Sequence, residues 1–362
     1  MMRSKLKRLG EPLKQPAIAI FFALLVGAAA ILVTGENPLT VYAAMAKGAF
    51  GSTYYLLTTL TRATPIIICG LGAAVAWSSN YMGIGGEGQM IVGGFVSAIL
   101  ALNVPGPAWF KIICSVAGAL AAGGLYSALS AWLLEKFKMS LAISTLMFNY
   151  AAQYITMHFT ANVFLDTTGD AKMTQTLMLA EELRLPKMVE TYSLHWGFVI
   201  AVLLVAAIWF VMNRTSFGYE SKMSGYNVDF CDYGGISSRK VMYGMLTLSG
   251  VICVLAGYGV QYRYVHNTYV SASYAWVGLN AALISDYNPV GILLTSILLA
   301  GIQTGGAAIS RATSVPLEIS SIIQGCITLF ISAKIAFKFR GRLLRRPRPY
   351  GTQAAEAEEG EA

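Results

Sequence analysis

The sequence predicts an all-α polytopic membrane protein with about ten transmembrane helices, and three observations lead there. The chain has 362 residues, of which 56% are hydrophobic and only 12% charged; a soluble globular chain is about 25% charged. Its mean hydropathy is +0.58, and several apolar runs approach or exceed the roughly 20 residues that a helix needs to cross a bilayer. The net charge of +8 is concentrated at the two ends and in one internal loop. That distribution sets membrane topology and does not point to nucleic acid.

Taken in order, residues 1–16 carry Arg3, Lys5, Lys7, Arg8 and Lys14 against Glu11, a basic cytoplasmic amino end. The apolar, membrane-spanning body, 17–338, opens with a span from Ala17 to Val33 and an amphipathic piece ending near Phe50 at the outer interface. A second span covers Tyr54–Trp77 with Pro65 inside it, and the glycine-rich run Asn80–Met90 interrupts the chain before a third span, Gln89–Leu102. The fourth, Ala108–Leu134, spaces Ala119, Gly123, Ser127 and Ala131 four apart, a stripe that lets another helix backbone approach closely. The fifth is Leu141–Phe159 and the sixth His195–Met212, separated by a long, slightly acidic loop assigned to the outer side.

The polar interlude Asn213–Lys240 follows. Ser237 is placed to cap a seventh span, Val241–Val260, and a tyrosine-rich turn leads to a short apolar piece, Ala272–Ile284. The ninth span is Val290–Thr304, followed by a turn at Gly305–Val315. The last, Pro316–Phe337, runs into a basic then acidic tail, 339–362, whose small and acidic composition predicts disorder. With both termini cytoplasmic the number of crossings is even: ten, or eight if the stretches near 80–100 and 272–284 are re-entrant.

The interlude is more than a linker by composition. It mixes Phe217, Tyr219, Met223, Tyr226, Phe230, Cys231 and Tyr233 with charged residues and four glycines. Asn227 can cap a helix of about two turns, Val228–Tyr233, with Asp229 near its positive end. Two readings fit: a short helix that docks in the groove of a soluble partner, or an ordered loop with some buried aromatics.

Motifs for chemistry are lacking. The sequence contains no Walker A run, no H-E-x-x-H, no nucleophile elbow and no dinucleotide fingerprint. Its five cysteines and three histidines have no metal-site or disulfide spacing. No catalytic residue, metal ligand or cofactor of its own is assigned. Ionisable and amide side chains inside spans are costly, and therefore informative; they are Arg62, Asn80, Glu87, Gln89, Asn149, Gln153, Asn280 and Asp286. Of these, Glu87, Gln89, Asn149, Gln153, Asn80 and Asn280 are the candidates for lining a solute pathway. Each also has a structural reading: Glu87 and Gln89 as partners for backbone freed by a glycine break, Asn149 and Gln153 as helix–helix glue. Arg62 and Asp286 suit span ends.

Several runs resemble, in order, the permease subunits of ABC importers for nucleosides and simple sugars. These are IGGEGQM (84–90), ISTLMFNYAAQYI (143–155), RTSFGYESKMSGYNVDFCDYGGI (214–236), NPVGILLTSILLAGIQTGG (288–306) and VPLEISSIIQG (315–325). The Glu-Gly-Gln and Met-x-Asn-Tyr elements are most similar to the nucleoside-type members. Gly83 stands where the family usually has Asn, and Trp276-Val277-Gly278-Leu279 where it often has Phe-Asp-Gly-Ile.

The resemblance implies a multi-pass permease of the bacterial inner membrane, working by alternating access on nucleosides or, alternatively, on simple sugars. It makes the interlude, between spans six and seven, a cytoplasmic coupling helix. Gly218, Tyr219, Gly225, Asn227 and Asp229 would then meet a cytoplasmic ATPase that binds ATP and Mg. It further implies a second permease, identical or related, and an external solute-binding protein or lipoprotein. An ion-coupled secondary transporter using Glu87 or Asp286, and a membrane scaffold or intramembrane enzyme, are the competing classes.

Overall fold

A computed structural model describes residues 21–33, 35–166, 174–189, 191–261 and 273–312, with short helical pieces within 318–329. The basic amino end, the acidic tail and most of the expected last span lie outside the described residues, as does most of the tyrosine-rich turn.

Besides the pieces within 318–329, twelve α-helices form among the described residues, and no strand beyond isolated bridge residues such as Lys187 with His195. They are α1 (Phe21–Val33), α2 (Pro38–Phe50), α3 (Thr53–Ser78), α4 (Gly86–Asn103), α5 (Ala108–Phe137) and α6 (Leu141–Asn162). The second half has α7 (Gly197–Arg214), α8 (Ser216–Tyr226), α9 (Val228–Tyr233), α10 (Ser238–Gln261), α11 (Ser273–Ile284) and α12 (Pro289–Ala312). Five of these, α3, α5, α7, α10 and α12, are long and apolar enough to cross a membrane unaided; α1 and α2 make a sixth if they count as one broken span. Among the described residues, then, five or six of the expected ten crossings are long and apolar enough by themselves. At twelve residues, α11 is about 18 Å long, short of the roughly 30 Å hydrocarbon core.

The bundle is organised around α3. In its apolar stretch 78% is buried, against 28% in α5 and in α7, so α3 is the central helix and α5 and α7 are peripheral. It packs on α10, α11, α12 and α7, while α10 also packs on α4 and α5. Ile66, Ile67 and Leu71 are fully buried in the main apolar cluster together with Met245, Ile292 and Leu299.

Small residues decide where helices meet. The predicted stripe on α5, Ala119, Gly123, Ser127 and Ala131, is buried throughout, and α10 is the helix that approaches it. A Cβ on Gly250 would lie 2.4 Å from the Gly123 carbonyl oxygen. The same logic corrects one boundary. Gly305 was expected in a turn, yet α12 continues through it to Ala312. The glycine serves packing there: a Cβ would meet the Met45 carbonyl oxygen of α2 at 2.4 Å. At the end of the bundle that carries α8 and α9, Arg239 Nε lies 2.7 Å from Glu135 Oε1. Tyr243 donates to Glu135 Oε2 at 2.7 Å, tying the start of α10 to the end of α5.

Candidate functional site: a cleft at the start of α4 and an exposed helix pair

The glycine-rich run contains the break in the chain, but in a narrower form than expected. Residues 81–84 are non-helical, and α4 restarts at Gly86, so Glu87, Gly88 and Gln89 already belong to the helix. The loop before it is held by three side chains. Trp77 Nε1 donates to the Gly83 carbonyl at 2.8 Å. Thr145 Oγ1 accepts from Ile84 N at 2.9 Å and donates to the Leu141 carbonyl at 2.7 Å. Asn149 closes the loop onto α6: its Nδ2 donates to the Ile84 carbonyl at 2.8 Å, and its Oδ1 accepts from Gly88 N at 2.9 Å.

Backbone freed by a helix break has to find partners, and Asn149 supplies one donor and one acceptor at the right separation. Asn149→Leu is expected to cost about 2–4 kcal/mol, because it leaves a buried carbonyl and a buried N–H unpaired. Thermal unfolding of the purified protein in detergent checks this; Asn149→Asp, which keeps only the acceptor, should fall in between.

The held loop forms the rim of a cleft of about 510 Å³, counting its open mouth. Its walls are Cys69, Ala73 and Ala76 of α3, Glu87 and Gln89 of α4, Ser127 and Ser130 of α5, and Thr145 of α6. Leu246, Ser249 and Cys253 of α10 and Ala275, Trp276 and Leu279 of α11 complete it. Glu87 stands in the first turn of α4, where the helix dipole favours a carboxylate, and its Oε2 accepts from Trp276 Nε1 at 2.9 Å. Gln89 is buried and donates through Nε2 to Ser127 Oγ at 2.8 Å. The arrangement is an apolar slot with a few fixed hydroxyls and amides, and it contains no acid–base pair for covalent chemistry.

Of the six residues expected along a pathway, the cleft gathers two, Glu87 and Gln89. Asn149 stitches the rim from behind. Gln153, one turn further along α6, is exposed on that helix's outer face beside Tyr150 and Tyr154. Asn80 is exposed in the turn after α3 with φ +63°, a left-handed conformation that asparagine tolerates. Asn280 sits on α11 but is not among the cleft walls. Residues that the sequence reading missed are Trp276, Ser130, Ser249 and Thr145. Trp276 was visible only as a departure from a family pattern, and the hydroxyls of an apolar helix carry no signal of which way they face.

The polar interlude folds into α8 and α9. Thr215 caps α8 by accepting from Gly218 N. Asn227 caps α9: its Oδ1 accepts from Phe230 N at 3.1 Å, and Asp229 lies in the first turn. Cys231 is the one buried side chain of α9, whereas Phe230 is 69% exposed and Tyr233 94%. Tyr226 and Tyr219 are exposed beside them.

Asp232 accepts from both N and Oγ of Ser238, at 3.0 and 2.9 Å, joining α9 to the start of α10. Those bonds hold its carboxyl below the usual range. Inward, α8 seats on the end of α3. Ser221 Oγ hydrogen-bonds Ser79 Oγ, and a Cβ on Gly225 would lie 2.9 Å from the Ser78 carbonyl oxygen. Gly218 is similarly tight, with Val211 O at 2.4 Å from its would-be Cβ. The exposed aromatics are therefore linked through α8 to the turn that leads into the cleft rim.

Comparison with known proteins adds the family. Residues 55–332 match the model described as branched-chain amino acid transport system / permease component. The chain belongs to this permease family. It is 31% identical to the guanosine ABC transporter permease protein NupP of Bacillus subtilis over 349 residues, covering 94% of this chain and 99% of that one. Identity to the nucleoside ABC transporter permease protein NupB of Lactococcus lactis is 27%, covering 94% and 95%. A glucose ABC transporter permease protein of Haloferax volcanii is 26% identical over 89% and 88%. With its apolar helices, this permease is a multi-pass membrane protein.

Proposed function

We propose that this permease is the membrane subunit of an ATP-driven importer of nucleosides in the bacterial cytoplasmic membrane. The observation that carries the reading is the exposed, side-chain-capped helix α9, whose neighbour α8 grips the end of α3 just before the cleft rim. Such a helix suits a groove on a cytoplasmic ATPase subunit, which binds and hydrolyses ATP with Mg; the permease contributes no hydrolysis. Tyr219, Tyr226, Phe230 and Tyr233 present apolar area, and Asn227 fixes the start of the helix. Gly218 and Gly225 let α8 lie against its neighbours.

Closure of the ATPases pushes on α8–α9, and the push reaches the end of α3 and the loop 81–84. The cleft between α3, α4, α5, α10 and α11 then opens to alternate sides. An external solute-binding protein or lipoprotein delivers the solute, and a second permease, identical or related, completes the pathway. The few fixed polar groups of the cleft suit passage, since a tight internal site would slow release.

Nucleosides are favoured over other solutes by the relatives named for guanosine and nucleosides, which align over almost the whole chain. A second reading, a simple-sugar importer, is favoured by the similarity to the glucose permease. Uptake of radiolabelled guanosine and glucose by cells carrying the complete importer separates them. The expected result is guanosine accumulation that vanishes when the ATPase is deleted. Glucose accumulation alone supports the sugar reading, and uptake that persists without the ATPase supports an ion-coupled carrier.

A further inference from the structure

We propose that Glu87 recognises the ribose hydroxyls of the solute, through the carboxylate oxygen that Trp276 leaves uncommitted. This deepens the nucleoside reading above and rests on it. Glu87 is half-buried among the cleft walls, and Trp276, which reaches it from α11, is 40% exposed. Glu87 Oε2 accepts from Trp276 Nε1 at 2.9 Å. Its Oε1 receives no hydrogen bond among the described residues, and no cation pairs with the carboxylate there.

A carboxylate inside a membrane bundle without a cation beside it is costly. The dipole of α4 and one indole N–H offset part of that cost. A glutamine would keep the indole bond without the charge. The charge is therefore poorly explained by stability, whereas Asn149 on α6 has both ends paired and is well explained by it. Both oxygens of a carboxylate accept, so no rotation of the group turns a donor toward the cleft. The indole bond bridges α4 and α11 and restricts where the second oxygen lies.

A charged acceptor calls for donors on the solute. Guanosine carries them on its ribose and on its base. The ribose suits the rest of the cleft better, because a hydroxyl both donates and accepts. The hydroxyls of Ser130 and Ser249 stand in the same walls and can donate back to it; a base N–H accepts nothing. Neighbouring ring hydroxyls are also what guanosine and glucose, the two solutes weighed above, have in common. An O–H donating to a carboxylate makes a stronger bond than one donating to a neutral oxygen. A solute lacking the hydroxyl forfeits that bond.

The test uses the complete importer in cells, with radiolabelled guanosine, 2′-deoxyguanosine, 3′-deoxyguanosine and purine riboside at saturating concentration. Delivery by the external binding protein is then the same for wild type and variant. In Glu87→Gln the remaining oxygen is drawn to the Trp276 N–H, and the NH2 group faces the solute. This variant is expected to lower the maximal rate of guanosine about tenfold relative to at least one of the two deoxyguanosines. Purine riboside keeps both hydroxyls but has no N–H on its base, so the guanosine-to-purine-riboside ratio should not change. Trp276→Phe, which keeps the carboxylate but releases it, should lower the guanosine-to-deoxyguanosine ratio about threefold. If Glu87→Gln does not reach the membrane, this second variant decides.

Rates that fall equally for all four solutes overturn the inference, since a purely structural glutamate has no reason to tell them apart. Guanosine-to-deoxyguanosine ratios that stay level or rise overturn it as well. A fall in the guanosine-to-purine-riboside ratio also overturns it, because the carboxylate then reads the base. A wild type that moves none of these nucleosides overturns the nucleoside reading and this inference with it, whereas the other adverse results, on an active importer, overturn this inference alone.

Discussion

Replacing Phe230 and Tyr233 together by aspartate is expected to abolish ATP-driven uptake and co-purification of the ATPase, while the permease still reaches the membrane folded. Both rings are mostly exposed, at 69% and 94%, so little core packing is lost. Buried aromatic anchors at protein interfaces are worth about 2–4 kcal/mol each, and two carboxylates in an apolar groove add the cost of unpaired charge. The combined loss amounts to about a thousandfold or more in association. Asn227→Ala provides the graded control. It removes the cap on Phe230 N, costs about 1 kcal/mol of local helix stability, and should weaken coupling without ending it. Affinity purification of the permease, followed by measurement of bound ATPase, reads both. An undiminished ATPase yield from the double variant would mean that the motor grips another surface.

Gly257→Ala is expected to be the most damaging single methyl in the bundle, at about 3 kcal/mol or more. A Cβ there would lie 2.1 Å from the Met90 carbonyl oxygen and 3.1 Å from Gly94 N. Both obstacles are backbone of α4, which cannot rotate away as a side chain can, so the two helices must separate. Insertion into a well-packed core usually costs about 1–3 kcal/mol, and backbone contact puts this site at or above the top of that range. Gly124→Ala is the informative contrast: its nearest obstacles are side-chain methyls of Thr247 and Val251 at 3.3 Å, and its cost should stay below about 1 kcal/mol. Thermal unfolding of the two variants in detergent, together with yield in the membrane, compares them. Equal tolerance would show that α4 and α10 are not in backbone contact.

Much of the helix pattern was legible because apolar runs and their ends are local properties. The span expected at Tyr54–Trp77 is α3, Thr53–Ser78, and the helix expected at Val228–Tyr233 has those very ends and the Asn227 cap. Capping depends on residues three apart in sequence, so neighbours suffice to read it. Glycines were less legible, because the same residue can end a helix or let another one come close. Gly305 was placed in a turn but lies within α12 against Met45, and only the position of α2 distinguishes the two roles.

Of the cleft walls, the sequence marked Glu87 and Gln89 but not the residues that face them from α5, α10 and α11. Polar residues in apolar runs stood out, but which of them converge depends on how far each helix is rotated about its axis. Asn149 and Gln153 are one turn apart, yet one is buried behind the cleft rim and the other faces outward, because α4 covers only part of α6. Trp276, far away in sequence from Glu87, completes the mouth.

Composition and periodicity alone determined that this chain is a helical membrane protein with a sticky polar insertion, since burial in lipid and helix capping act over a few residues. Which helices are self-sufficient spans, where the cleft lies, and how α8 reaches the end of α3 were decided only in three dimensions. Those features depend on small residues of distant segments letting backbones approach, and the energy of that approach is shared between helices rather than written in any one of them.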